Sequence, residues 1–172
     1  MSRKQNITTI FRGGNRDLPQ MVQRMVIHSS RCIDSMEGGN RFTHLRSLIF
    51  FEPMDSSPCK SLLKLLSDGY RLLKVLELGG EQIKMIPSEV FRLLHLEYLS
   101  LRGTQVEIIP KPIGKLKKLQ CLDLKDTNVT ELPIQILMLL HLQYLSVRPI
   151  EAIGFKAPYE IGSLKSRKHC AI

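Results

Sequence analysis

One spacing dominates this chain. The phrase L-x-x-L-x-L begins at Leu73, Leu96 and Leu119 and returns as L-x-x-L-x-V at Leu142, 23 residues apart each time. Within the unit every apolar column repeats in register. Leu76, Leu99, Leu122 and Leu145 fill position four, and Leu78, Leu101, Leu124 and Val147 fill position six. A lone aliphatic follows at Ile83, Val106 and Val129, then an aliphatic-Pro pair at Ile86-Pro87, Ile109-Pro110 and Leu132-Pro133. Val90, Ile113 and Ile136, then Leu93, Leu116 and Leu139, complete the unit. A fixed period in this range is the mark of a solenoid, whose units cannot bury their apolar side singly and must stack.

The pattern dictates local structure. In L-x-x-L-x-L the last two leucines share one face of a strand, because residues i and i+2 point the same way. Each unit has room for only one strand, so successive strands must lie parallel and be joined by crossovers on the opposite side. Proline after each aliphatic pair removes an amide donor and fixes φ, which favours a turn or a short 3-10 piece there. The expected architecture is an α/β solenoid, a horseshoe segment. Its parallel sheet lines the concave face, and turns, 3-10 pieces or short helices line the convex face. Two earlier units fit more loosely: LRSLIF starts at Leu45, 28 residues before Leu73, and VQRMVI starts at Val22. After the fourth strand, Ile161-Gly162-Ser163-Leu164 matches Ile113-Gly114-Lys115-Leu116 two residues late. This makes about six units over residues 21–165, the last incomplete. Residues 1–20, with the Gly13-Gly14 loop signal, are expected to be a poorly ordered lead-in or the remnant of a preceding domain. Residues 166–172 are expected to be an unstructured tail. On that reading Val22–Ile27 is an uncovered edge strand, and Arg167 stands in a leucine column. Exposed sheet edges are an aggregation liability, so the ends read as cut from a longer protein.

Composition narrows the function. The net charge is +9, but the cations are scattered rather than gathered in a stripe with interleaved aromatics, so no nucleic-acid partner is expected. Cys32, Cys59, Cys121 and Cys170 show neither zinc-knuckle spacing nor a dense disulfide framework, which suits reduced thiols in a cytoplasm. No apolar run approaches the roughly 18 residues of a membrane span, and the N-terminus lacks a signal-peptide pattern. The sequons at Asn6 and Asn128 are then chance matches. Chemistry is equally sparse. Neither H-E-x-x-H nor G-x-S-x-G occurs, and His95 and His141 share one repeat position, as turn-packing residues would. Glu77 and Asp123 share a strand column two units apart, but an open sheet face offers no dry pocket to shift a pKa. No catalytic residue, cofactor or metal is assigned.

The outward positions of the strands form the candidate partner-binding face. Position two holds Lys74, Glu97, Gln120 and Gln143; position three holds Val75, Tyr98, Cys121 and Tyr144. Position five holds Glu77, Ser100, Asp123 and Ser146, and position seven holds Gly79, Arg102, Lys125 and Arg148. Two tyrosine anchors beside a basic row suit a protein interface, where Tyr and Arg are enriched.

The unit L-x-x-L-x-L-x-x-T-x-V-x-x-L-P-x-x-I-x-x-L resembles intracellular leucine-rich repeats. It is most similar to those of plant nucleotide-binding, leucine-rich-repeat disease-resistance proteins, through LKVLELGGEQIKMIPSEVFRLLHLEYLSLRGTQVEIIPKPIGKLKKLQCLDLKDTNVTELP, VQRMVIHSS and the opening SRKQNITTIF. The resemblance implies a recognition module of an innate-immunity receptor. Its partner would be a pathogen effector, a guarded host protein or the nucleotide-binding module of a full-length parent. A stand-alone adaptor and a ligase without its catalytic domain are the other readings. The chain has no G-x-x-x-x-G-K-S/T phosphate loop, so nucleotide binding does not carry over. It also has Glu81, Thr104 and Thr127 at position nine, where many such repeats use Asn. A hydroxyl bonds less fully than an amide, so looser turns are expected there.

Overall fold

A computed structural model of the 172-residue chain describes residues 8–11, 22–27, 43–50, 70–80, 82–148, 154–161 and 170–171. Among the described residues eight strands form one sheet in chain order: β1 (Thr8–Phe11), β2 (Arg24–Ile27), β3 (Ser47–Phe50), β4 (Val75–Glu77), β5 (Tyr98–Ser100), β6 (Cys121–Lys125), β7 (Tyr144–Arg148) and β8 (Cys170–Ala171). Every neighbouring pair is parallel. Leu76, Leu99, Leu122 and Leu145 are consecutive register partners, as the 23-residue period requires. The looser spacing before the first strict unit is also absorbed, since Leu48 pairs with Leu76 across 28 residues. The five extra residues fall within 51–69, outside the described residues.

The inward columns make one continuous core. All seven aliphatic columns of the three strict units are buried, from Leu73, Leu76 and Leu78 through Ile136 and Leu139. Each layer covers the next, which is why a single unit has no fold of its own. Opposite the sheet run the 3-10 pieces η1 (Ser88–Arg92), η2 (Lys111–Lys115) and η3 (Ile134–Met138), followed by η4 (Tyr159–Ile161). The prolines explain them. Pro87, Pro110 and Pro133 sit at the N-caps, and their carbonyls accept the i+3 amides of Val90, Ile113 and Ile136 at 3.1, 3.0 and 2.9 Å. Leu93, Leu116 and Leu139 then donate back to those same three residues. Three residues per turn stacks these side chains on one side, facing the core.

Three expectations need correction. The lead-in contributes a strand: β1 pairs with β2, placing Thr9 opposite Met25 and Phe11 opposite Ile27, so Val22–Ile27 is not the edge. The tail also contributes one, with Cys170 opposite Leu145 and Ala171 opposite Ser146. The two-residue delay seen at Ile161 runs on into β8: Leu145 to Cys170 is 25 residues, as is Ile136 to Ile161. Arg167 lies outside the described residues. Finally, His95 and His141 lie in the turns before their strands but are exposed rather than packed, and His95 Nδ1 sits 3.0 Å from Lys118 Nζ.

The position-nine threonines are better satisfied than a missing Asn suggests. Thr104 and Thr127 are buried, and their hydroxyls donate to the carbonyls of Leu101 and Leu124 at 2.7 and 2.8 Å. Each closes its turn onto the strand it has just left. Glu81 lies outside the described residues.

Candidate functional site

The ladder sets the outward columns side by side. Val75, Tyr98, Cys121 and Tyr144 are consecutive register partners, as are Glu77, Ser100, Asp123 and Ser146; Lys125 pairs with Arg148. What the side chains do with this placement differs by column. At position two, opposite charges in adjacent units meet, and Lys74 Nζ bonds the Glu97 carboxylate. Gln120 and Gln143 stay exposed.

Position five is largely turned inward on its own backbone. Glu77 Oε1 accepts the Gly79 amide at 3.0 Å, Asp123 Oδ1 accepts the Lys125 amide at 3.0 Å, and Ser100 Oγ lies 3.5 Å from the Arg102 amide. A carboxylate two residues before an unpaired amide is a local Asx-type closure. Gly79 fits this fold-back, because a Cβ there would meet Glu77 Oε1 at 2.7 Å. Ser100 is only 2% exposed, and Ser146 Oγ is buried without a hydrogen-bond partner. These serines lie beneath the face rather than on it.

Position three carries the aromatic surface. Tyr98 leans across its neighbour, and its hydroxyl donates to Glu77 Oε2 at 3.0 Å. Burial, reinforced by the adjacent Glu77 charge, pushes its pKa up to about 12. Tyr144 is 44% exposed. Between them, the Cys121 thiol is half-buried and free. Burial first, then the Asp123 and Glu77 carboxylates, raise its pKa, so the thiolate needed for nucleophilic or metal chemistry is disfavoured.

One residue absent from the outward columns organises the basic row. Asp126 at position eight accepts Arg148 Nη2 at 2.9 Å and Arg148 Nε at 3.2 Å on Oδ1, and its Oδ2 lies 3.6 Å from Arg102 Nε. Its φ is 57°, in the left-handed region, where Gly80 and Gly103 occupy the same position at 76° and 69°. All three donate their amides to the position-seven carbonyl of the next strand, at 2.7 to 2.8 Å. The signal was the column Gly80, Gly103, Asp126, a glycine position holding one acidic residue.

The face is thus open, mixed in charge and largely self-paired. Its shallow polar hollow over Glu77, Tyr98, Ser100 and Arg102 is too open to exclude water. Among the described residues no cluster of His, Cys, Asp or Glu could hold a metal ion, and no helix is long and apolar enough to cross a membrane. The arrangement suits a macromolecular surface.

Comparison with known proteins agrees on the architecture. A family profile described as a leucine-rich repeat region matches residues 44–169. Among solved structures, a leucine-rich-repeat protein of Leptospira interrogans is 22% identical with a TM-score of 0.56, over 89% of this chain and 43% of that one. An internalin of Listeria monocytogenes is 19% identical with a TM-score of 0.58, over 89% and 48% respectively. The leucine-rich-repeat domain of a type III effector is 18% identical with a TM-score of 0.53, over 91% and 64%. The chain therefore spans less than two thirds of each of these. No curated protein matches it at a significant level.

Proposed function

Since the chain belongs to the leucine-rich-repeat region family, whose fold is typically a non-enzymatic scaffold suited to protein recognition, we propose that it is the recognition segment of a plant intracellular disease-resistance receptor. It acts in effector recognition, in autoinhibitory contact with the receptor's nucleotide-binding module, or in both. The observation that supports the protein-binding part is the placement of Tyr98 and Tyr144 in one register column, with Arg102 and Arg148 both beside Asp126. Tyr and Arg are the residue types enriched at interface hot spots. The plant-receptor part is supported by the phrasing of the repeats themselves.

The test is a calorimetric titration of the full chain against the nucleotide-binding module of a plant disease-resistance receptor and against a panel of pathogen effectors. Tyr144→Ala with Arg148→Ala should abolish binding while leaving the fold intact by circular dichroism. Tyr98→Ala with Arg102→Ala should do the same with some loss of stability, because Tyr98 also ties down Glu77. Binding untouched by both pairs would refute the concave-face assignment. A locus that encodes no phosphate loop upstream of Met1 would refute the receptor assignment.

A further inference from the structure

The convex side of the two central units differs from the rest of the surface. The second unit exposes Lys111, Lys115, Lys117 and Lys118 there. None of these lysines forms an ion pair among the described residues, and neither η2 nor η3 contains an acidic residue. Acidic residues lie on the flanking pieces, Glu89 on η1 and Glu160 on η4, and in the turns leading into η2 and η3, where Glu107 and Glu131 are exposed. Three of the four equivalent positions of the third unit are apolar and exposed, Ile134 at 55%, Met138 at 48% and Leu140 at 61%, and the fourth is the exposed His141. Tyr159, which opens η4 as Ile134 opens η3, is 98% exposed. A lysine row therefore runs beside a strip of protruding aliphatic and aromatic side chains.

The platform under this patch is close-packed. A Cβ on Gly114 would meet Gln135 at 3.1 Å and Met138 Sδ at 3.2 Å, so glycine at that position eases the close approach of η2 and η3. Lys117 Nζ crosses the seam to donate to the Met138 carbonyl at 3.2 Å.

We propose that this convex face docks on an anionic bilayer surface. The four lysines would lie over the headgroups, and Ile134, Met138, Leu140 and Tyr159 would enter the interface. Three physical points select a bilayer. A broad convex face of lysines beside protruding apolar side chains can rest on a plane. Lysine is depleted in protein–protein interfaces, whereas a row of compact ammonium charges is what an anionic leaflet attracts. A phosphate backbone, finally, gives the aliphatic strip nothing to bury against, whereas polybasic attraction plus shallow apolar insertion is the recipe for an interfacial protein. The proposal concerns the side opposite the recognition face, so it stands or falls independently of it.

The test is co-sedimentation of the full chain with phosphatidylcholine vesicles, with and without phosphatidylserine. Binding should require phosphatidylserine and weaken with salt. Lys115→Gln with Lys118→Gln should lower the partition coefficient about 25-fold, at roughly five-fold per lysine. Arg24→Gln, the same charge change at an exposed position of β2, should leave it unchanged. Met138→Ser with Leu140→Ser should reduce binding several-fold at constant charge. Each variant is checked for native circular dichroism. Equal binding to neutral vesicles, no binding to anionic ones, or an unaffected double-lysine variant would overturn the proposal. So would displacement from the vesicles by polyglutamate or duplex DNA at lower concentration than by free lipid, which would assign the patch to an acidic protein or a nucleic acid.

Discussion

Replacing Asp126 should invert the usual order of glycine and alanine. The residue holds a left-handed φ of 57°, a conformation its column otherwise gives to Gly80 and Gly103. A Cβ there costs about 1–2 kcal/mol, with Asp at the low end because its short polar side chain can bond locally. Its carboxylate also pairs with Arg148 and Arg102, whose side chains are 68% and 58% exposed. Exposed pairs of this kind contribute about 0–1 kcal/mol in total after screening. Asp126→Gly removes the pairs and relieves the strain, so the two effects nearly cancel, to within about 0.5 kcal/mol. Asp126→Ala removes the pairs and keeps the strain, so it should be less stable than the glycine variant by about 1 kcal/mol. Urea unfolding followed by circular dichroism measures both, and the slope should not change because the same surface is exposed. High salt should abolish the ionic part, leaving the gap between glycine and alanine untouched. Alanine equal to or better than glycine would show that position eight does not need the left-handed turn, and the account of this row would fail with it.

Two further outcomes follow from the site and the core. Tyrosine absorbance should show a hydroxyl titrating near 12 that is lost in Tyr98→Phe and moved only part of the way down in Glu77→Gln, since burial is the larger cause. Because the folded pKa lies above the unfolded one, the stability Tyr98 contributes is complete below about pH 10 and lost as pH rises through 12. A fold as stable at pH 12 as at pH 9 would contradict this. Leu122→Ala, at a fully buried position between Leu99 and Leu145 in the ladder, should cost about 3–5 kcal/mol. In a quasi-one-dimensional stack it should also speed hydrogen exchange in both β5 and β7, and protection retained on both sides would count against nearest-neighbour coupling.

Much of the fold was legible because backbone and core obey the same period. Leu76, Leu99, Leu122 and Leu145 could be aligned on paper, and stacking makes that alignment a ladder. The ends were harder to read for a physical reason. TTIF and HCA lack leucine columns, yet a strand can be templated by its neighbour's open N–H and C=O groups, whatever side chains it carries. The one usable signal was the offset at Ile161, which carried forward puts Cys170 against Leu145. The outward face was legible as a set of columns but not as a set of bonds. Lys74 and Glu97 meet because they share a column, a pairing open to inspection at a separation of 23. Tyr98 and Glu77 meet on a diagonal, which depends on rotamers that the period does not specify. Asp126 escaped because an even/odd count assigns it no outward direction; its carboxylate reaches Arg148 and Arg102 only through the left-handed turn. A periodic chain therefore declares which residues share a surface. Which of them remain available to a partner is decided by local closures, and here those closures take up Glu77, Ser100 and Asp123.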